Sequence, residues 1–163
     1  MKRITTFLTI NGKAEEAANF YISVFKNSKI TNILRCGVNG PGPEGSILTV
    51  AVELNGQGFV ILNYGPDQPF TLATSFLIEC ENQMEIDEVW DKFLEGGKAY
   101  ACGWIADKYG VIWQVTPISL LEMINDADSN KAARAFKCMQ SMIKFDIAEL
   151  EKAYEGPHVA SLS

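Results

Sequence analysis

Histidine is nearly missing from this 163-residue chain: the single one, His158, follows a Gly-Pro break close to the end. Chemistry that needs paired imidazoles within one chain is thereby excluded, including His-rich zinc sites, HExxH proteases and two-His iron sites. Cysteine is sparse. Cys36, Cys80, Cys102 and Cys138 form no CxxC or metal-finger spacing, and their density is well below that of a disulfide-stapled scaffold. No run of basic residues exceeds Lys2-Arg3, and 20 acidic against 14 basic residues give a formal net charge of -6. The basic stripe of an electrostatically driven nucleic-acid binder is not there. Long apolar runs are lacking as well. The first residues reach Asn11, Gly12 and Glu15 before such a run forms, so neither a signal peptide nor a membrane span is expected. What is present is ample core material, 47% hydrophobic against 21% charged, which excludes a disordered chain. The expectation is a soluble cytoplasmic protein with reduced thiols.

The chain alternates short β-type runs with amphipathic helices. Residues 4–10 predict a strand rich in β-branched residues. Residues 13–25 predict a helix, with Ala14, Ala17, Ala18, Tyr21 and Phe25 at helical spacing and Glu15-Glu16 suited to its positive first turn. A strand near 29–36 leads into the Gly/Pro loop GVNGPGPEG, 37–45. This loop reads as a hairpin connection, with a flap over a binding site as the alternative. Strands 46–54 and 59–64 follow, joined by Asn55-Gly56-Gln57-Gly58 as a tight hairpin. The pattern then resumes with a strand at 73–80, a helix at 83–95 stopped by Gly96-Gly97, two short strands near 98–106 and a last strand at 111–116. The remainder predicts helices. Ser119 is expected to cap a short one to Asn125, Asp128 or Ser129 a second, and Asp146 with Glu149 a third. Residues 157–163 are expected to form a flexible tail.

The order strand, helix, three strands therefore occurs twice, over about 3–66 and 73–117, with helices over 119–155. Thr6-Phe7-Leu8 falls on Ser75-Phe76-Leu77, and Phe20-Tyr21 on Val89-Trp90. Val60-Ile61-Leu62-Asn63, then Pro66, falls on Val111-Ile112-Trp113-Gln114, then Pro117. Order, spacing and punctuation agree, which is the signature of an internal repeat. The fold class is α+β, two βαβββ units within a single domain over 1–156, expected to curl their strands around a shared cavity.

A duplicated βαβββ unit resembles the vicinal-oxygen-chelate superfamily, which includes glyoxalase I, bleomycin-resistance proteins and extradiol dioxygenases. Four stretches are similar to its PhnB-like family, labelled 3-demethylubiquinone-9 3-methyltransferase domain. They are Asn11 to Ala17 followed by Phe20-Tyr21; Gly40 to Ser46; Cys102-Gly103-Trp104 with Asp107, Gly110 and Trp113-Gln114; and Lys144 to Ala148 with Ala153-Tyr154. The resemblance spans roughly residues 3–156. It implies a glyoxalase-like barrel and, commonly, a homodimer. It also implies one metal-ligand position on the first and last strand of each unit, and in this chain those positions fall on Thr6, Asn63, Ser75 and Gln114. Two hydroxyls and two amides are neutral, weak donors that would not offset the dehydration of a divalent transition metal. No metal and no cofactor are therefore expected. Strand alternation is expected to put Thr6, Leu8 and Ile10 on the cavity wall with Phe59, Ile61 and Asn63, and Ser75, Leu77 and Glu79 with Ile112 and Gln114. Either this wall orients a small organic ligand, or the four polar residues bond one another inside a closed core.

Other candidates are weaker. The methyltransferase label implies S-adenosylmethionine, but the Gly-rich run precedes a strand, not a helix, and its prolines remove backbone donors. The cysteines have no histidine beside them to activate a thiolate; Cys102, at a strand end, is the best placed. Glu79 would serve as a general base if partly buried, and otherwise is a solvated strand end. Asp107 reads as turn chemistry. Trp104 is expected at the cavity rim and Trp113 towards a helix. Phe136, Met139, Met142 and Ile143 form an apolar stripe that needs a partner, in this chain or in a second subunit. The sequence thus predicts a small-molecule-binding protein without the usual metal ligands, with no nucleic-acid or membrane partner. An enzyme of this fold and a structural homodimer are the alternatives.

Overall fold

A computed structural model describes residues 4–66 and 68–157. The expected tail, His158 included, lies outside the described residues from 158 onward. The chain forms two compact units, Met1–Pro69 and Phe70–Ser163.

The first unit contains β1 (Thr6–Thr9), α1 (Ala14–Val24), β2 (Lys29–Arg35), β3 (Ile47–Leu54) and β4 (Gln57–Leu62). Its sheet runs β1-β4-β3-β2, with β1 parallel to β4 and the other pairs antiparallel. Small residues on α1 let the helix lie close to the sheet: Ala14, Ala17 and Ala18 are buried with Tyr21 and Val24. The sheet face beneath it alternates Val50, Val52 and Leu54 on β3 with Phe59 and Ile61 on β4 and Leu8 on β1, all buried. Each such side chain contributes about 1.5–3 kcal/mol on burial. The β3–β4 turn is the two-residue Asn55-Gly56, both with positive φ (45° and 86°). That is the geometry a twisted hairpin selects, and it starts β4 two residues earlier than the four-residue turn read from sequence.

The second unit repeats the order with β5 (Phe76–Cys80), α2 (Gln83–Leu94), β6 (Lys98–Ala99), β7 (Trp104–Ala106) and β8 (Ile112–Pro117), in sheet order β5-β8-β7-β6. The Asn82 side chain caps α2 by accepting from the Glu85 N–H at 3.0 Å. Phe93 of α2 stacks on Trp113 of β8 at 5.1 Å between ring centroids, which fixes the helix side of this sheet.

Three further helices follow: α3 (Ile118–Ile124), α4 (Ser129–Ser141) and α5 (Ile147–Glu155). Asp128 and Asp146 cap α4 and α5 as expected. Ser119 does not cap α3. Pro117 passes from β8 directly into the helix, Ser119 falls inside its first turn, and its hydroxyl is buried without a partner among the described residues. The helical segment is tied to the strands by backbone bonds from Cys102 N–H to Met142 O and from Gly103 N–H to Ile143 O, both 2.8 Å. Gln83 adds a two-way clasp, donating to Phe145 O and accepting from Ile147 N–H, both at 3.0 Å. Gly103, at φ +74°, is required here: a Cβ would lie 2.4 Å from the buried Phe145 ring and 2.8 Å from Val115 O.

Candidate functional site

On β5 and β8 the side chains alternate about the sheet. Trp113 pairs with Phe76 on the α2 side, so Ser75, Leu77, Glu79 and Gln114 lie on the side away from the helix. Gln114 Nε2 donates to Ser75 Oγ at 2.7 Å. Leu77 is the lateral neighbour of Gln114 on β5 and Trp104 its neighbour on β7, and lateral neighbours share a face. The result is a row of leucine, amide and indole across three strands, with a serine hydroxyl bonded to the amide. Leu77 is 49% exposed; Gln114, Ser75 and Trp104 are half-buried. The Gln114 carbonyl oxygen accepts from no group among the described residues. Glu79 is exposed at the end of the same face.

Thr6 and Asn63 are placed differently. Thr6 pairs with Phe59 and shares the α1 side of its sheet with the buried Leu8 and Ile61. The Asn63 side chain turns to the start of α1, accepting from Ala14 N–H at 3.1 Å and donating to Ile47 O at 3.0 Å. The expected wall of Thr6, Leu8, Ile10, Phe59, Ile61 and Asn63 is therefore corrected: in the first unit this set faces the helix. The ladders explain the error. Thr6–Phe59 and Leu8–Ile61 lie on the helix side of the first sheet as Phe76–Trp113 does in the second, so Ser75 and Gln114 match the face that carries Phe7 and Val60, not the face of Thr6. The helices keep the original alignment, Tyr21 with Trp90 and Val24 with Phe93, because the link from strand to helix is longer in the first unit. Of the four positions, the structure joins only Ser75 and Gln114.

The other candidates are placed as follows. Cys102 has a positive φ of 59° and is half-buried where its N–H holds Met142. Burial pushes the Cys80 thiol up to about 12 and Cys138 upward, each with help from a nearby glutamate; neither is a thiolate near neutral pH. Asp107 is 3% exposed. It accepts from Tyr109 N–H (2.8 Å), Val111 N–H (3.1 Å) and Trp113 Nε1–H (2.9 Å), so it is the turn-former expected and also the anchor of the Trp113 indole. The Gly/Pro loop is a hairpin connection closed by Gly45 N–H to Cys36 O and Cys36 N–H to Ser46 O, both 2.8 Å. It joins two antiparallel strands, so it does not deliver the strand-to-helix glycine turn of an S-adenosylmethionine site.

Neutral hydroxyls and amides do not fit a divalent metal, and Asn63 is already committed to α1. Among the described residues no group of three or more His, Cys, Asp or Glu side chains is placed to hold one. Among them, too, no helix is long and apolar enough to cross a membrane.

This paired βαβββ arrangement is that of a PhnB-like domain of the glyoxalase-like fold. The sequence family described as 3-demethylubiquinone-9 3-methyltransferase matches residues 2–116, and the chain belongs to it. The PhnB protein of Bacillus cereus is 41% identical, covering 71% of this chain and 99% of its own, with a TM-score of 0.64. Protein PA1353 of Pseudomonas aeruginosa, at 17% identity and a TM-score of 0.60 over 72% of this chain and 98% of its own, shares the fold. No protein of curated function matches. The family match ends within β8, so α3, α4 and α5 lie beyond it.

Proposed function

We propose that the chain is a metal-independent binding protein for a small organic molecule, received on the open face of β5, β8 and β7. The carrying observation is the Ser75–Gln114 bond of 2.7 Å. Gln114 spends an N–H on Ser75, which fixes the amide and leaves its carbonyl as an acceptor. The Ser75 hydroxyl, already accepting, has its own proton to donate. One donor beside one acceptor suits a ligand with an adjacent carbonyl and hydroxyl or amide group. Leu77 and Trp104 supply apolar contact and a ring to stack on. The family label suggests methyl transfer, but the Gly/Pro loop joins two antiparallel strands and so does not offer its cofactor a strand-to-helix glycine turn; binding is the reading this face supports.

The experiment is a thermal-shift screen with quinones, glyoxal adducts, hydrophobic antibiotics and S-adenosylmethionine, since a ligand of the native state raises the melting point. The expected result is a saturable rise with a carbonyl-bearing compound and none with S-adenosylmethionine. Gln114→Leu and Ser75→Ala should each weaken binding about tenfold, the cost of leaving a ligand's polar group unpaired. Stabilisation by S-adenosylmethionine alone, or a stoichiometric transition metal in the purified protein, would overturn the proposal.

A further inference from the structure

The helices beyond the family match carry a groove of their own. Arg134, Lys137, Cys138 and Ser141 follow one face of α4, and Glu149, Lys152 and Ala153 follow the facing side of α5. Between them lies an open hollow of about 720 Å³, within the size range of small-molecule sites. Its charge runs against the molecule: the chain carries a net charge of -6, yet three cations and one carboxylate line this groove. The cations are not spent on ion pairs. Lys137 and Lys152 have no acidic partner among the described residues. Arg134 binds only backbone carbonyls at the end of α5: Nε to Ala153 O and Tyr154 O, both 3.1 Å, and Nη2 to Tyr154 O at 2.6 Å and Glu155 O at 3.3 Å. Those bonds hold the guanidinium rigid and leave Nη1 unengaged. The walls between the charges are apolar, built from Ala153, the Cys138 thiol, Pro157 and the methylene stems of both lysines.

We propose that the α4–α5 groove binds a small amphipathic anion, an apolar body ending in a carboxylate or a phosphate. A fixed Arg134 and two unpaired lysines receive the head, and the stems and Ala153 receive the body. The neighbouring Glu149 carboxylate repels an anionic head, which seats that head beside Arg134 and the lysines.

The test is titration of the full, isotope-labelled chain with decanoate, decyl phosphate and decanol, each below its micellar concentration, followed by NMR. The expected result is saturable shifts confined to residues 134–153 with at least one anion, the tighter of the two naming the headgroup. The double substitution Lys137→Ala with Lys152→Ala should weaken that anion about tenfold, in line with two partly exposed ion pairs, and added salt should weaken it further. The lysines make no ion pair among the described residues, so the variant should melt with the parent. Equal binding of decanol, no saturable binding of either anion, unchanged affinity in the double variant, or shifts centred on Leu77 and Gln114 would each overturn the proposal. The last outcome would assign the ligand to the strand face and so leave the function proposed above standing.

Discussion

Asp107 shows how much one side chain settles. It is a buried carboxylate to which two backbone N–H groups and the Trp113 indole donate. Trp113 in turn carries Phe93 and so the seat of α2. Asp107→Ala leaves two buried donors and one part-buried donor unmet and should destabilise the protein by about 3 kcal/mol, read from the urea midpoint. Asp107→Asn keeps one acceptor oxygen and should cost less. Its turn role was legible in the sequence, since Asp before Tyr109-Gly110 is an Asx-turn pattern. Its bond to an indole six positions on was not, because that depends on how β8 folds back. Asn63 was misread for a related reason. Alternation gives the faces of a strand, but which face meets the helix depends on the length of the preceding link, and the two units differ there.

At the scale of elements, helix ends decide more than helix propensity. Asn63 supplies an acceptor for the first turn of α1 from a different element, since Lys13 at the N-cap makes no side-chain bond. Asn63→Ala should therefore cost about 1 kcal/mol, the usual loss for a missing cap, measurable by denaturant unfolding. If Asn63 acts only as this cap, ligand-induced melting shifts should survive the change. The α3–α5 helices are joined by the Tyr154 hydroxyl donating to Asp126. That bond holds the Asp126 carboxyl below the usual range and pushes Tyr154 up to about 12. The tyrosine contribution is complete below its ordinary value of 10.0 and is lost as pH rises from there through about 12. The carboxylate contribution is complete above the ordinary value of 3.8 and is lost as pH falls through the lowered one. Tyr154→Phe should flatten both limbs of the stability-versus-pH curve. Patterning showed these helices and two of their caps; the Tyr154–Asp126 bond joins α5 to the link between α3 and α4 and had no sequence signal.

For the whole molecule, the repeat was the most legible feature, because punctuation and helix faces recur even where side chains do not. The dependence of the second unit on its added helices was hidden. A chain ending at Pro117, about where the family match stops, would lose Phe145 from its seat over Gly103, both backbone bonds to residues 142–143 and the Lys144 contacts to Asp87 and Asp91. Burial of Phe145 alone is worth about 2–3 kcal/mol. Such a chain should melt about 8 °C lower, and calorimetry would show whether the loss falls on the second unit while the first keeps its transition.

The Gly103–Phe145 contact also sets an order in time. Every bond of the first sheet is available once the chain has passed Leu62. The second sheet has all its strands once the chain has passed Pro117, but its unit is complete only when residues 142–147 dock on the 101–103 turn and on Gln83, partners as far as 64 positions apart. On a ribosome adding about 5–20 residues per second, the first unit is free to fold seconds before the second can close. Until then the Gly103 seat that Phe145 later covers stands open to water.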